Sequence, residues 1–524
     1  MKKICVSLIL FAVALSLFAS GGQQTATSSG YPVNERGLPI TKELVTVNVT
    51  LPSNANRRAP LGEMKPVLET EKKTNVHIVW TEIANTGWQE KVNLLIASGD
   101  FPDAFYGNVN LARNIDSFAP LDDSINKYAP AVQQLLKDRP DIKSRLPAPD
   151  GKIYSLPTGG ETYNNLSPDQ VWINKTWLDA LGLKMPATIK EFENVLIAFK
   201  EKDPNKNGKA DETPFSFCQS GEGNSQINSI FGSFGALYTD SALRVQDGKV
   251  IFSPGERGFY DCLVWFHSLY SRGLIDKEAF IQNQQQYNAK FKSGETLGAF
   301  LAFSPDFIVD PAIASHYPAM PPLTGPNGQK PVWRNGNPGE MYNFTIPKTS
   351  NYRDVMIRLY DHLSSSMENM LEWAWGTRDY AWRMRPDGKW EIASENQPAD
   401  MAYGVWRHST SPASSSLVFF KKEWVGPDAQ HFTTERDLIK IAGVKAYLPY
   451  LETEFVTNNL RPVDDETNRN LLWVEIDKYL KGFVAQSITN GINEAGWNAH
   501  LAALRNLKAD EYTAITQKYY KSSK

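Results

Sequence analysis

The sequence predicts an α/β protein with more than one core. Strand-like and helix-like segments alternate along it, the pattern that produces parallel sheets. The chain has 524 residues, 41% hydrophobic and 22% charged, an ordinary globular composition. At about 150 residues per domain, that length exceeds a single core. In order, residues 45–49 read as a strand, 61–73 as a helix, 76–80 as a strand, 88–97 as a helix and 103–106 as a strand. Further on, Phe192, Val195, Leu196 and Phe199 recur at i, i+3, i+4 and i+7, one face of a helix. Phe259, Cys262, Leu263 and Phe266 repeat the spacing, as do Met356, Leu359, Tyr360 and Leu363. Pro and Gly punctuate residues 153–160 and 319–339, where the chain is expected to cross between cores.

The N-terminus reads as a secretory signal peptide. Lys2 and Lys3 precede an apolar run over 4–18, short for a bilayer span, and the small residues Ala19, Ser20, Gly21 and Gly22 follow. Residues 1–20 are assigned to it, with cleavage near Ala19 to Gly21, and 21–43 to a flexible leader. No cysteine lies between residues 6 and 217, so no lipid-bearing cysteine is expected at the cleavage point. An unanchored exported protein implies a periplasm to retain it.

Net charge is −3, which leaves no basic field for nucleic acid. The seven histidines are scattered, with no HxxxH zinc spacing. Cys218 and Cys262 could pair in an oxidising compartment, but Cys262 lies on a helical apolar face and two buried free thiols are expected instead.

Residues 203–212 carry the most specific pattern: Asp203-Pro204-Asn205-Lys206-Asn207-Gly208-Lys209-Ala210-Asp211-Glu212. Side-chain oxygens recur at alternate positions and a glycine sits where a tight loop must turn, the arrangement that surrounds Ca²⁺ with oxygen ligands. Asp203, Asn205, Asn207, Asp211 and Glu212, with the Lys209 carbonyl, form the expected shell. The twelfth position is Pro214, where an EF-hand has a bidentate Glu, so Glu212 must close it. A plain Asx- and Gly-rich surface turn is the alternative.

This stretch resembles the calcium loop of ABC-transporter extracellular solute-binding proteins of the family 1 type. The group nearest in pattern is the large oligosaccharide binders of the alginate-binding and LplA kind. Ala97-Ser98-Gly99-Asp100-Phe101-Pro102-Asp103, Val171-Trp172-Ile173-Asn174-Lys175, Trp177 to Gly182 and Tyr352 to Leu363 are similar to other segments of that family. The resemblance spans roughly residues 44–520. It implies the periplasmic-binding-protein type of α/β fold, with two lobes joined by a hinge and the ligand cleft between them. It also implies a monomer without catalysis, an oligosaccharide ligand, a structural Ca²⁺ and a membrane permease as partner. On this reading residues 44–158 and 318–390 form an N-terminal lobe, and 159–317 and 391–524 a C-terminal lobe.

Ligands of open α/β sheets bind at the carboxyl ends of strands. The loop after the first strand, with Asn54, Asn56, Arg57 and Arg58, and the loop after Tyr106, with Asn108 and Asn110, lie at such ends. The chain also holds 14 Trp, 21 Tyr and 25 Phe, and flat rings pack the apolar faces of sugars. Rings meet guanidinium groups in Trp333-Arg334, in Trp375, Arg378 and neighbours, and in Tyr403, Trp406 and Arg407. That mixture suits polyhydroxylated and acidic ligands alike. Two or three of these aromatics are expected in the cleft and the rest in the core. A secreted glycoside hydrolase or lyase, a periplasmic sensor partner and a peptide ligand stay open as alternatives, although no acid/base motif, GxSxG elbow or phosphate loop is present.

Overall fold

The computed structural model describes residues 30–521 apart from 161, 337–339, 402, 414–416 and 458. The expected signal peptide lies outside the described residues. The chain enters by β1 (Val45–Pro52), β2 (Val76–Ile83), β3 (Ala104–Tyr106) and β4 (Ser155–Gly160). It crosses to β5 (Gln170–Ile173), β6 (Thr213–Ser216), the hairpin strands β7 (Leu243–Gln246) and β8 (Lys249–Phe252), β9 (Leu297–Ala302) and β10 (Ala319–Met320). It returns for β11 (Glu340–Thr345), the pair β12 (Trp382–Met384) and β13 (Trp390–Ile392), and β14 (Phe419–Phe420).

Two main sheets result, each with its own core, as expected for a two-lobed α/β protein, beside the two-stranded pairs β7-β8 and β12-β13. The first runs β14-β4-β11-β3-β1-β2 and the second β10-β5-β9-β6. Both are mixed, not wholly parallel. β1 pairs in parallel with β2 and β3, but β11 is antiparallel to both β3 and β4. In the second sheet β5 is antiparallel to β9 and to β10, while β6 and β9 are parallel. The cause is the crossing: a strand that re-enters its sheet from the other lobe is not bound to the direction a βαβ connection imposes.

Local choices follow the sequence closely. The helix expected over 61–73 is a single turn, Leu61–Glu63, then a helix Lys65–Thr74. Pro66 divides them, because proline is tolerated in a first turn but not inside a helix. The helix Ile189–Glu201 starts with a capping box: Glu191 N–H donates to Thr188 Oγ1 at 3.1 Å and Thr188 N–H donates to Glu191 Oε2 at 3.2 Å. Its buried face is Phe192, Val195, Leu196 and Phe199. Cys218 and Cys262 are buried free thiols. Among the described residues no helix is long and apolar enough to cross a membrane.

The lobe limits differ from those expected. Met320, Leu323 and Trp333 pack in the second core, so the return falls after 333 and not at 318. Trp406, Val418, Phe419, Phe420 and Val425 pack in the first core, so the second crossing lies beyond 425 and not at 390. Sheet membership explains both, since β10 belongs to the second sheet and β14 to the first. Residues 31–43 are not a free leader either. Tyr31 N–H donates to Asn351 O at 2.7 Å, and the Arg358 guanidinium, buried in the first lobe, donates to Asn34 O at 3.1 Å and Gly37 O at 2.7 Å. A buried guanidinium needs acceptors, and this segment supplies them.

Candidate functional site

A cleft of about 990 Å³ opens between the lobes. From the first lobe, Ser53 and Asn54 follow β1, Gly107 and Asn108 follow β3, and Thr158 to Gly160 end β4, with Asn85, Trp88, Asn343 and Phe420 beside them. The parallel strands β1 and β3 therefore deliver their carboxyl ends to the cleft. The second lobe contributes Thr239 to Ser241, Arg334 to Gly336, Glu452 and Phe455. Amides, hydroxyls and rings dominate. Such a surface matches the alternating polar edges and apolar faces of a carbohydrate.

The first-lobe wall is built around a ring. The Trp88 indole N–H donates to Asn108 O at 2.7 Å, and its ring is 8% exposed. Gly107, at φ +139°, makes room for it: a Cβ there would lie 2.6 Å from the ring and 3.0 Å from Pro52 Cδ. Gly160 plays the same part for Phe420, whose carbonyl oxygen would be 2.3 Å from an added Cβ. Both glycines are demanded by close approach as well as by backbone conformation.

The second-lobe wall centres on Arg334. Its Nε donates to Asp169 Oδ1 at 3.3 Å and its Nη1 to Asp240 Oδ2 at 3.1 Å. The Asp169 carboxylate holds the guanidinium pKa above its usual value. Asp169 is itself buried, which raises its own pKa, and it accepts from the Ser229 hydroxyl. Glu452 accepts from Asn335 N–H at 3.3 Å, and burial pushes its carboxyl up to about 8. Behind the wall, Lys440 Nζ donates to Ser167 O at 2.7 Å, and burial lowers its ammonium to about 7.

Of the residues expected at the site, Asn54, Asn108 and Arg334 line the cleft. Asn56 lies aside, its backbone N–H donating to Asn54 Oδ1 at 2.9 Å. Arg57 turns inward to pair with Glu82, and its side chain is 4% exposed. Trp333 is a core residue, its indole donating to Asp169 O at 2.7 Å. Trp375 packs between Trp390 and Phe420 with Arg407 over its face at 4.3 Å, and Trp406 is buried in the same core. Arg378 pairs with Glu368 at 2.9 Å on the surface. Tyr403 borders a separate cavity of about 180 Å³ with Phe303 and Lys440. The cleft rings are instead Trp88, Tyr106, Phe420 and Phe455. For Trp88 the sequence holds one signal that was not read, Gly107 directly after a strand, a mark of close approach by another group.

The 203–212 loop folds as a nest of oxygens around its own backbone. Asp203 accepts from Asn207 N–H at 3.1 Å and from Gly208 N–H at 3.0 Å. Asn207 Nδ2 donates to both Asp211 oxygens at 3.1 and 3.2 Å, and Asn205 Nδ2 donates to Glu295 O at 3.0 Å. Lys209 N–H donates to Asn207 Oδ1 at 2.8 Å. Glu212 Oε1 is buried without a hydrogen-bond partner, and burial raises its pKa, with the Asp211 and Asp203 charges adding to the shift. Among the described residues no group of three Asp, Glu, His or Cys side chains is poised to hold a metal.

Residues 55–369 match the model of the bacterial extracellular solute-binding protein family. The chain belongs to this family. It is a solute-binding protein and not an enzyme. It is 30% identical to the fructooligosaccharide ABC transporter substrate-binding protein FusA of Streptococcus pneumoniae serotype 4, over 99% of this chain and 98% of that one. It is 29% identical to lipoprotein LipO of Bacillus subtilis over 56% of this chain and 58% of the other. Among solved structures, the S. pneumoniae FusA complex with kestose aligns at TM-score 0.74 and 27% identity, covering 91% of this chain and 99% of that one. A FusA EF-hand mutant in complex with fructo-nystose aligns at 0.73 and 27% identity, with the same coverage. Alginate-binding protein AlgQ2, solved without calcium ion, shares the fold at TM-score 0.68 and 21% identity, covering 92% of this chain and 98% of that one.

Proposed function

We propose that this solute-binding protein is the oligosaccharide-binding component of an ABC importer. The observation that carries the reading is the interlobe cleft of about 990 Å³, with rings, amides and hydroxyls on both walls and the Arg334–Asp240 ion pair on the second-lobe side. The relative FusA, matched end to end, is named for fructooligosaccharide. A ligand that touches both walls is held fully only when the lobes approach, so binding shifts the population to a closed form. A membrane permease then reads that form. Asn54, Asn108 and Arg334 offer polar contacts, and Trp88 and Phe420 offer ring faces. The lobes are taken as 30–160 with 340–425, and 165–335 with 435–521. The protein is taken to act in a periplasm, a reading that rests on the leader over 1–20 and the lack of cysteine between residues 6 and 217, and to act there as a monomer.

Ca²⁺ is proposed for the 203–212 loop. The donor set suits a hard cation: three carboxylates, two amides and the Lys209 carbonyl. Glu212 carries the buried oxygen without a partner, which a cation would satisfy. In this loop Asn205 Oδ1 and Asn207 Oδ1 accept from the N–H groups of Asn207 and Lys209 at 3.1 and 2.8 Å, so these amides would have to give up those bonds to turn their oxygens to the ion. The ion's part is structural, fixing the connection between the helix Ile189–Glu201 and β6.

A thermal-shift screen against oligosaccharides tests the function. A ligand at 100 times its Kd stabilises by about 2.7 kcal/mol, and the absence of any shift across the panel contradicts the reading.

A further inference from the structure

The charged residues of the cleft decide which oligosaccharides it accepts. Among its described lining residues the charged side chains are Asp240, Arg334 and Glu452. Arg334 is the sole cation of the three, and it is already engaged. Its Nε faces the buried Asp169 at 3.3 Å and its Nη1 faces Asp240 at 3.1 Å. The arrangement is held from behind: Asp169 is 1% exposed, accepts from the Ser229 hydroxyl, and through its carbonyl anchors the indole of Trp333, the residue before Arg334. Asp240, by contrast, has a side chain 71% exposed. A ligand acid bound to the guanidinium would have to share it with that carboxylate. Glu452 adds no positive charge in either protonation state.

The other arginines of the ring-rich segments do not compensate. Arg378 pairs with Glu368, and Arg407 lies over Trp375 and donates to Ala374 O at 3.0 Å. Arg57, after β1, is taken by Glu82. Lys440 stands behind the wall on Ser167 O, 1% exposed. The rest of the lining offers uncharged donors and acceptors, which pair with hydroxyls but do not offset the desolvation of an anion.

We propose that the cleft selects uncharged oligosaccharides and rejects uronate-bearing ones, with Asp240 on Arg334 as the pair that enforces the rejection. The proposal rests on the oligosaccharide reading above and narrows it. Rejection by a fixed like charge is how specificity is commonly built against a near-isosteric competitor.

Calorimetry at low ionic strength decides it, with three neutral trisaccharides (kestose, maltotriose, cellotriose) and three acidic ones (trigalacturonate, trimannuronate, triguluronate). The expected result is that at least one neutral trisaccharide binds and every acidic one binds at least about tenfold more weakly. Asp240→Asn should narrow that ratio by at least about threefold, and added salt should reduce the narrowing. The substitution is on an exposed side chain, and an unchanged melting temperature confirms that the variant folds. A uronate trisaccharide that binds the wild type as tightly as the best neutral one overturns the proposal and leaves the oligosaccharide reading standing. An unchanged ratio in Asp240→Asn overturns the assignment to this pair. If none of the six binds, the oligosaccharide reading fails and this inference falls with it.

Discussion

Gly107 and Trp88 fit each other as backbone and ring: a Cβ on Gly107 would stand 2.6 Å from Cζ2 of the indole. Gly107 also sits at φ +139°. Gly107→Ala therefore combines backbone strain with displacement of the ring that forms the first-lobe wall. We expect a loss of about 1–3 kcal/mol in stability and a clear loss of ligand affinity, read by denaturant unfolding and calorimetry. Unchanged values in both would remove Trp88 from the site.

The aromatic residues divide by role. Trp333, Trp375 and Trp406 are buried in the two cores. Replacing any of them by Ala should cost about 3–5 kcal/mol of stability. Phe420→Ala and Trp88→Ala, at residues that pack in a core and also line the cleft, should cost stability as well but be distinguished by weakened ligand binding in a chain that still folds. Melting temperature and affinity measured on all five variants check the division.

This division shows what was legible in the sequence. The carboxyl-end rule located Asn54 and Asn108 from the strands before them, and the 203–212 spacing marked its loop without reference to any neighbour. The tryptophans were different. Nothing local separates Trp333, which donates inward to Asp169 O, from Arg334 beside it, which faces the cleft. Trp88 read as the first residue of a helix, because its partner Asn108 is distant in sequence and joined only by the fold. Arg57 read as a ligand residue, since Glu82 becomes its neighbour only when β1 and β2 pair. Lobe limits were displaced for the same reason. β10 and β14 are two-residue strands, too short to carry a periodic signal.

Calcium removal should be felt as lost stability. Wild-type protein should melt lower in excess EDTA than with added Ca²⁺, and Asp203→Ala should melt low in both. Ligand affinity at saturating Ca²⁺ should change little. Identical wild-type melting in the two conditions, with no metal by elemental analysis, would reduce the loop to a polar turn.

Glu452 gives stability a pH dependence of defined sign. Burial raises its folded carboxyl from an ordinary 4.5 to about 8. Between those values the folded state holds a proton that the unfolded state has released, so its contribution falls as pH rises through that window. The slope is at most about 1.4 kcal/mol per pH unit. Lys440 behaves oppositely: lowered from 10.5 to about 7, it makes stability rise with pH between those limits. Unfolding free energies of wild type, Glu452→Gln and Lys440→Met from pH 5 to 10 separate the two contributions.

The central claim is that the interlobe cleft binds an oligosaccharide against Trp88 and Phe420. The most direct measurement is titration calorimetry of an oligosaccharide from the thermal-shift screen into wild type and into Trp88→Ala/Phe420→Ala. The account predicts one site per chain in the wild type and, in the double variant, affinity at least about 100-fold lower, the loss of two ring contacts. Wild-type affinity in a folded double variant would contradict it.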